Sequence, residues 1–181
     1  MLEGGPLDRP FILWRISRRA ARARLPSMTR LSTGDAVPPF EMTADDRIVV
    51  SSDSLAGSRY VLYFYPKDDT PGCTTQACAL RDSWSRVSGT GIELFGVSPD
   101  SVRRHAKFRE KYALPYRLLS DEGHRVAEAF GVWIEKKFAG RTYFGNERST
   151  FVIGPDGRVD HVLALVKPAE HIEQLMEALA A

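Results

Sequence analysis

Residues 59–73 read RYVLYFYPKDDTPGC and join a strand-like run to the start of a predicted helix. Its first seven residues are almost continuously apolar and are closed by Pro66, which is typical of a short strand buried in the centre of a sheet. A polar turn follows, and the pattern after it predicts a helix from about Cys73 to Val87. A buried strand that leads through a tight turn into a helix is the basic unit of an α/β domain.

Strand and helix patterns alternate along the chain on both sides of this stretch. Upstream, short strand-like runs around Asp45-Asp46 suggest a small hairpin. Downstream, helices are predicted before Tyr112, before Phe130 and after Pro168. Further strand-like runs lie at residues 92–98, 116–119, 132–138, 149–153 and 158–166. The order hairpin, β, α, β, α, β, α, β, β, α predicts a thioredoxin-like α/β fold, with a central mixed β-sheet flanked by helices and an N-terminal β-hairpin.

The composition is that of one globular domain, since the chain has 181 residues of which 43% are hydrophobic. No apolar run is long enough to span a bilayer. The formal net charge is +2, but residues 1–30 carry seven Arg against two acidic residues. The remaining residues are therefore slightly acidic, so no nucleic-acid partner is indicated, and no membrane partner is expected for residues 31–181.

Residues 1–30 are interpreted as an Arg-rich N-terminal extension, and residues 31–181 as the domain. Three interpretations of the extension stay open: an Arg-rich targeting peptide, an amphipathic surface anchor, or sequence that is not native, with Met28 as the true start. We favour the third, because the ordered pattern begins just after Met28. In each case we expect disorder or a loosely attached helix. The expected compartment is the cytoplasm, with organellar targeting by residues 1–27 as the alternative.

Cys73 falls where the predicted helix begins. The first turn of a helix presents unpaired N–H groups and the positive end of the helix dipole, and both favour a thiolate over a thiol. Thr70, three residues earlier, can place its hydroxyl near the sulfur or near a bound oxygen ligand. Pro66 and Pro71 stiffen the loop and can shield the sulfur from water.

The second cysteine of the chain, Cys78, lies five residues after Cys73. In a regular helix that spacing separates the two Cα atoms by roughly 8.6 Å, whereas a disulfide needs about 4.4–6.8 Å. A bond between the two therefore requires the first turns of the helix to unwind, which would make the helix a redox-driven two-state element. Two cysteines in all also indicate a reducing compartment and a chemical role rather than a disulfide scaffold.

Less specific interpretations compete with this chemistry when the residues are taken alone. Both cysteines could be inert and half-buried. The sequence evidence for a metal site is weaker still, because there is no second cysteine pair and the four histidines are scattered. Each histidine is interpreted as a surface or helix-cap residue. Residues 67–69 are interpreted as a solvated loop face, and Arg148 alone as a surface ion pair with Glu147.

A family resemblance changes these interpretations. Pro66, Thr70 and Cys73 match the P-x-x-x-T-x-x-C active-site motif of peroxiredoxins. The wider string PKDDTPGCTTQACALRD resembles the bacterioferritin comigratory protein (PrxQ) subgroup, whose members are atypical 2-Cys enzymes. The resemblance continues in LSTGDAVPPFEM, FGVSPDSVRRHAKFREKY, LPYRLLSDEGHRVAEAFGVW and RSTFVIGPDGRV, and so covers residues from about 31 to 181. The segment WIEKKFAGRTYFGNERST resembles the family's loop before the arginine strand.

The resemblance implies a role for each matching residue. Cys73 would be the peroxidatic nucleophile and Cys78 the resolving cysteine, which forms an intramolecular disulfide with it. Thr70 would hydrogen-bond the peroxide, Pro66 would shield the sulfur, and Arg148 would stabilise the thiolate and polarise the peroxide. The arginine role also has a physical basis, since a guanidinium is a permanent charge partner for a thiolate.

The implied function is that of a thiol-specific peroxidase, an oxidoreductase that reduces hydrogen peroxide and organic hydroperoxides. Thioredoxin or a similar dithiol would recycle it, no metal, flavin or haem cofactor is required, and an intramolecular cysteine pair predicts a monomer. Two rivals stay open. A thiol–disulfide oxidoreductase would need C-x-x-C, whereas the spacing here is C-x₄-C. A redox-sensing or holdase protein could use the same helix switch and would react slowly with peroxide.

Overall fold

The computed structural model describes residues 29–181 as a seven-stranded mixed sheet, a separate two-stranded sheet and five helices. The strands are β1 (Glu41–Ala44), β2 (Val49–Ser51), β3 (Tyr60–Phe64), β4 (Glu93–Ser98), β5 (Arg117–Ser120), β6 (Trp133–Phe138), β7 (Arg141–Asn146), β8 (Ser149–Ile153) and β9 (Val159–Leu163). The helices are α1 (Pro71–Asp82), α2 (Trp84–Ser88), α3 (Val102–Tyr112), α4 (Arg125–Ala129) and α5 (His171–Ala180).

The large sheet has the strand order β2-β1-β5-β4-β3-β8-β9. At its centre β3 pairs in parallel with β4, and β4 pairs in parallel with β5. The other neighbour of β3 is β8, which is antiparallel. This arrangement confirms the predicted thioredoxin-like sheet, and it places the residue that precedes β8 next to the loop that follows β3.

Each face of the sheet covers its own apolar core. All five residues of β3 are buried, and they alternate between the two cores, as the two-residue period of a strand requires. Leu62 and Phe64 face a core completed by α4 and the N-terminal hairpin. Val61 and Tyr63 face a core completed by α1, α2, α3 and α5. A strand buried on both faces is what the continuous apolar run predicted.

The structure differs from the sequence prediction in two places. The helix predicted from about Cys73 to Val87 is two helices, α1 and α2, which are separated at Ser83. Serine competes for backbone hydrogen bonds and therefore favours helix ends over helix interiors. Strand β6 confirms the strand-like run predicted at residues 132–138, but the rest of the segment likened to the family's loop before the arginine strand forms a second strand, β7, in an antiparallel hairpin that turns at Ala139-Gly140 with positive φ angles of 49° and 76°.

The N-terminal boundary of the described chain is packed against the domain. The backbone of Thr29 and Arg30 lies so close to Gly131, whose φ is +68°, that a Cβ there would come within 2.5 Å of Arg30. Arg30 also forms an ion pair with Glu147. The expectations for residues 1–28 lie outside the described residues, and the division at residue 30 stays a prediction. No helix within residues 29–181 combines the length and the apolar character needed to cross a membrane.

Candidate active site

Cys73 lies in the first turn of α1, three residues after the N-cap residue Thr70. Its side chain is buried with only 2% of the residue exposed, and it forms no disulfide. The backbone at Thr70 is extended and Pro71 is the first helical residue, a position where proline removes no intrahelical hydrogen bond. The sulfur therefore belongs to the turn whose N–H groups lack helical partners and where the helix dipole is positive.

Arg148 reaches this sulfur from the neighbouring strand. It directly precedes β8, and β8 pairs with β3, from which the loop to α1 departs. One guanidinium nitrogen, Nη2, lies 3.2 Å from Cys73 Sγ, and the other, Nη1, donates to Gln76 Oε1 at 2.8 Å. The planar fork of the guanidinium thus contacts a sulfur and an amide oxygen that are one helical turn apart in α1.

Thr70 and Pro66 lie in the loop between β3 and α1. The Thr70 hydroxyl donates a hydrogen bond to the carbonyl of Lys67 at 3.1 Å. Because this contact uses the hydroxyl hydrogen, the oxygen of Thr70 keeps its lone pairs for an incoming donor. Thr70 and Pro66 are both half-buried. The loop therefore holds Thr70 as a potential acceptor just before the helix that carries Cys73.

Cys78 lies in the same uninterrupted helix as Cys73. It is half-buried, and both cysteines are free. A five-residue separation in a regular α-helix places the Cα atoms roughly 8.6 Å apart, beyond the usual disulfide range of about 4.4–6.8 Å. The phenolic hydroxyl of Tyr116 donates to the carbonyl of Ala77 at 3.1 Å and so ties this part of α1 to the sheet.

A chain of buried polar side chains continues from Arg148 into the protein. Gln76 Nε2 lies 3.0 Å from His171 Nδ1, and His171 Nε2 lies 2.9 Å from Thr150 Oγ1. Burial, with a further contribution from the positive charge of Arg148, lowers the pKa of His171 to about 4. Sequence reasoning missed Gln76, His171 and Thr150. The interpretation of His171 as a surface or helix-cap residue is wrong, since its side chain is fully buried and the N-cap residue of α5 is Glu170.

The loop that carries Thr70 is anchored by a second buried network. Asp68 accepts a hydrogen bond from the Tyr65 hydroxyl at 2.6 Å and lies 2.8 Å from Nδ1 of His105, and its backbone N–H donates to Asp100 at 2.7 Å. Asp68 is only 2% exposed, and His105 is fully buried inside α3, so the interpretation of His105 as a surface or helix-cap residue is wrong. The interpretation of residues 67–69 as a solvated face is therefore wrong for Asp68, because the β3–α1 loop turns this one carboxylate inward.

Two charged neighbours of Arg148 are engaged elsewhere. The buried carboxylate of Glu147 pairs with Arg30 and accepts from the Ser149 hydroxyl at 2.9 Å, so the surface ion pair between Glu147 and Arg148 does not form. Lys136, half-buried on β6, donates to the carbonyl of Asn146. Burial, followed by the charge of Arg148, lowers the pKa of Lys136. Among residues 29–181 no three His, Cys, Asp or Glu side chains converge as a metal site would require.

Comparison with protein-family models identifies the family of the chain. The model described as the AhpC/TSA family matches residues 33–162, which include the whole of the site except its contacts to α5. The chain belongs to the AhpC/TSA family. Within it, the chain is similar to the peroxiredoxin Bcp of Escherichia coli K12, with 41% identity over 84% of this chain and 97% of that protein. It is also similar to the peroxiredoxin Bcp of Bacillus subtilis, with 44% identity over 82% of this chain and 95% of that protein.

Solved structures agree with this family assignment. The bacterioferritin comigratory protein of Xanthomonas campestris superposes with a TM-score of 0.74 at 33% identity, covering 81% of this chain and 98% of that one. A cysteine-to-serine mutant of Xylella fastidiosa PrxQ superposes with a TM-score of 0.78 at 29% identity, covering 84% and 97%. This member of the AhpC/TSA family is accordingly a thiol peroxidase, an oxidoreductase that takes a peroxide substrate and a thiol reductant.

Proposed function

We propose that the peroxidase reaction takes place at Cys73 and that Cys78 resolves the product as an intramolecular disulfide. The observation that carries this assignment is the 3.2 Å contact between Arg148 Nη2 and Cys73 Sγ. A buried sulfur in contact with a permanent cation at the start of a helix has the surroundings of a reactive thiolate. Cys78 lies within electrostatic range of Arg81, but among the described residues no side-chain hydrogen bond to its sulfur matches the one from Arg148 to Cys73, which supports a secondary role for it.

The first step is a displacement at oxygen. The Cys73 thiolate attacks one oxygen of ROOH and the O–O bond breaks, which leaves Cys73 as a sulfenic acid and releases RO⁻, protonated to ROH. Arg148 stabilises the negative charge on the sulfur and on the departing oxygen. Thr70, whose hydroxyl hydrogen is donated to Lys67, accepts the O–H of the peroxide and orients it. Pro66 shields the sulfur from bulk water.

The second and third steps restore the thiol. Helix α1 unwinds locally, the Cys78 thiol attacks the sulfenic sulfur, and water leaves as the disulfide forms. An external dithiol then reduces the disulfide by exchange and becomes oxidised itself. We propose thioredoxin or a similar dithiol protein as this reductant, and hydrogen peroxide and organic hydroperoxides as the substrates. Because both cysteines belong to one chain, the cycle needs no partner subunit, which supports a monomer.

We further propose that residues 31–181 suffice for catalysis and act in the cytoplasm, where a reducing pool keeps thiols available. Residues 1–30 would then contribute nothing to turnover. The relative from Oryza sativa subsp. indica, 38% identical, is described as a chloroplastic peroxiredoxin Q, so targeting by residues 1–27 is the alternative outcome. Sequencing the mature N-terminus of the native protein distinguishes the two.

The experiment that tests the assignment is a coupled assay with thioredoxin, thioredoxin reductase and NADPH. NADPH should be consumed only when peroxide is added, and Cys73→Ser should abolish this consumption. Cys78→Ser should still react once with peroxide to give a sulfenic acid but should not turn over with thioredoxin. If Cys73→Ser kept its activity, the assignment would be wrong. A slow reaction of the intact protein with peroxide would favour a redox-sensing or holdase role instead.

A further inference from the structure

His171 joins the last helix of the fold to the reactive cysteine through two other side chains. It is the first residue of α5 and is fully buried between α1, β3 and β8. Its two ring nitrogens lie 3.0 Å from Gln76 Nε2 and 2.9 Å from Thr150 Oγ1. The ring also packs against Tyr63, with centroids 5.7 Å apart. Gln76 in turn contacts Arg148, which contacts Cys73.

The chemistry of arginine fixes the direction of every hydrogen bond in this chain. A guanidinium only donates, so the Gln76 atom that faces Arg148 must be the amide oxygen. The amide NH₂ of Gln76 then faces His171, so Nδ1 of the imidazole must accept. The ring hydrogen of a neutral imidazole therefore lies on Nε2, which donates to Thr150 Oγ1. His171 is thus held in one tautomer, and a protonated ring would oppose the Gln76 NH₂ with a second donor.

We propose that His171 is a positioning residue of the peroxidase, which fixes Gln76 so that Gln76 holds the guanidinium of Arg148 against the sulfur of Cys73. Gln76 is 1% exposed, so water cannot replace a partner that its NH₂ loses. Without the imidazole acceptor, the amide would turn to find another partner and would withdraw its oxygen from Arg148. This inference rests on the proposed role of Cys73 as the nucleophile.

The position of Gln76 in α1 links the same contact to the second step of the cycle. Gln76 lies between the two cysteines in sequence, so any unwinding that brings Cys78 to Cys73 displaces its side chain. The displacement breaks the contacts to His171 and to Arg148 together. His171 therefore also stabilises the folded form of α1, in which the sulfur meets peroxide. Loss of the imidazole acceptor should slow sulfenic acid formation and accelerate disulfide formation.

A pair of nearly isosteric substitutions separates the hydrogen bond from packing. In His171→Asn the side-chain oxygen can occupy the position of Nδ1 and accept from Gln76, whereas in His171→Leu nothing can accept. Both variants leave the same space behind. His171→Leu should lower the second-order rate constant with hydrogen peroxide about 10-fold. His171→Asn should stay within about 3-fold of the wild type, since it keeps the acceptor.

Two further readouts distinguish positioning from general destabilisation. In a Cys78→Ser background, where Cys73 is the remaining cysteine, the thiolate absorbance at neutral pH should fall in His171→Leu and persist in His171→Asn. With both cysteines present, disulfide formation after one equivalent of peroxide should be faster in His171→Leu. Thr150→Val removes the acceptor for Nε2–H of His171 at nearly constant volume and should show the same changes at smaller amplitude. If His171→Leu does not fold, Thr150→Val tests the proposal in its place.

These experiments distinguish a failure of the role proposed for His171 from a failure of the role proposed for Cys73. If His171→Leu and Thr150→Val match the wild type in peroxide rate and thiolate absorbance, His171 only packs, and the inference is overturned. It is equally overturned if His171→Asn loses as much as His171→Leu, because the cavity would then explain the loss. Cys73→Ser serves as a control throughout: residual turnover in that variant would refute the proposed function rather than the role of His171.

Discussion

Gly72 leaves open the space that the guanidinium of Arg148 occupies. A Cβ at this position would lie 2.9 Å from Nη2 of Arg148, closer than real Cβ contacts come, and 3.6 Å from Cγ of Pro168. The φ angle of Gly72 is not positive, so alanine would fit the backbone there. The glycine is therefore required by the close approach of the Arg148 side chain rather than by helix geometry.

Gly72→Ala should separate activity from stability. The added methyl pushes Arg148 away from Cys73, so the rate constant with peroxide should fall about 10-fold. The free energy of unfolding should stay the same or rise by up to about 1 kcal/mol, because alanine favours a helix over glycine. Stopped-flow kinetics and urea unfolding measure the two quantities. Gly123→Ala is the matched control, because a Cβ there would meet its nearest side-chain atom only at 3.8 Å. This variant should leave the rate constant with peroxide unchanged.

Arg148→Lys should reduce peroxide reactivity although it keeps the positive charge. A lysine ammonium cannot contact Cys73 Sγ and Gln76 Oε1 with the fixed fork of a guanidinium, so one of the two contacts is lost. We expect a decrease of about 100-fold in the rate constant, measured in competition with a reference peroxidase. Arg125→Lys, at an exposed position on α4, should retain the wild-type rate. Equal rates for both variants would show that charge alone suffices at residue 148.

Asp68 and Asp69 are adjacent in sequence and should differ in their effect on stability. Asp68 is buried against His105 and Tyr65, so Asp68→Ala leaves polar groups without partners and should lower the free energy of unfolding by about 3 kcal/mol. Asp69 makes exposed contacts to Lys111 and Tyr112 at a positive φ of 55°, so Asp69→Asn, which removes the charge and tolerates that backbone, should cost much less than Asp68→Ala. Urea unfolding of both variants checks the contrast, which a similar loss at the two sites would contradict.

Oxidation should release the amide hydrogens of α1 selectively. If Cys73 and Cys78 bond, the helix between them cannot persist at the Cα distance that a disulfide allows. Hydrogen exchange measured by mass spectrometry should therefore be faster in the segment Pro71–Asp82 of the oxidised protein than in the reduced protein. The segment Val102–Tyr112, which forms α3, is the internal control and should exchange equally in both. An oxidised protein with a protected α1 would rule out the intramolecular bond.

Stability should decrease as the pH falls toward the folded pKa of His171. Its folded pKa is about 4, whereas an unfolded histidine has a pKa of about 6.5. Between these two pH values the unfolded chain binds more protons than the folded chain, so the free energy of unfolding rises with pH. The contribution of His171 to the free energy of unfolding, roughly 3 kcal/mol, is fully present only above about pH 6.5. The titratable and charged groups near the ring are Tyr63 and Arg148.

Urea unfolding across this pH range, compared between wild type and His171→Asn, isolates the contribution of this histidine, because every other titrating group is common to both proteins. The difference between the two curves should change between pH values of about 4 and 6.5 and be level above that range. A constant difference throughout would show that His171 titrates normally in the folded protein.

The sequence predicted the parts of the molecule whose signals are local. The continuous apolar run at β3 and the alternation of strands and helices were sufficient for the sheet, and the turn at residues 154–157 was sufficient for the β8–β9 hairpin. Strand β6 lies within the strand-like run predicted at residues 132–138, but its partner β7 was missed because this hairpin stands apart from the main sheet. Its side chains Tyr143 and Phe144 are about half exposed, so no buried face imposes an apolar alternation on the sequence.

The candidate site divides in the same way. Cys73 and Thr70 belong to one short motif, and the proximity of Arg148 followed from the resemblance of its strand. Gln76 and His171 are 95 positions apart in sequence. Neither glutamine nor histidine is a residue type whose burial can be predicted from sequence alone. Their meeting depends on α5 packing beside α1 on the same face of the sheet, which only the folded chain reveals. Asp68 was missed for the same reason, since a charged residue in a polar loop is usually solvated.

Helix α1 carries the reactive sulfur, the side chain that holds its cationic partner, and the second thiol, all on a single element. In the proposed cycle this arrangement imposes an order on events. While α1 is folded, Cys73 can react with peroxide but Cys78 cannot reach it. Once α1 has unwound so that Cys78 can reach Cys73, the contact between Arg148 and Cys73 is already broken. While α1 is open, a further oxidant meets a sulfur without its activating surroundings. Overoxidation is thus confined to the interval before the helix opens, and the lifetime of that one helix sets how much oxidant the protein tolerates.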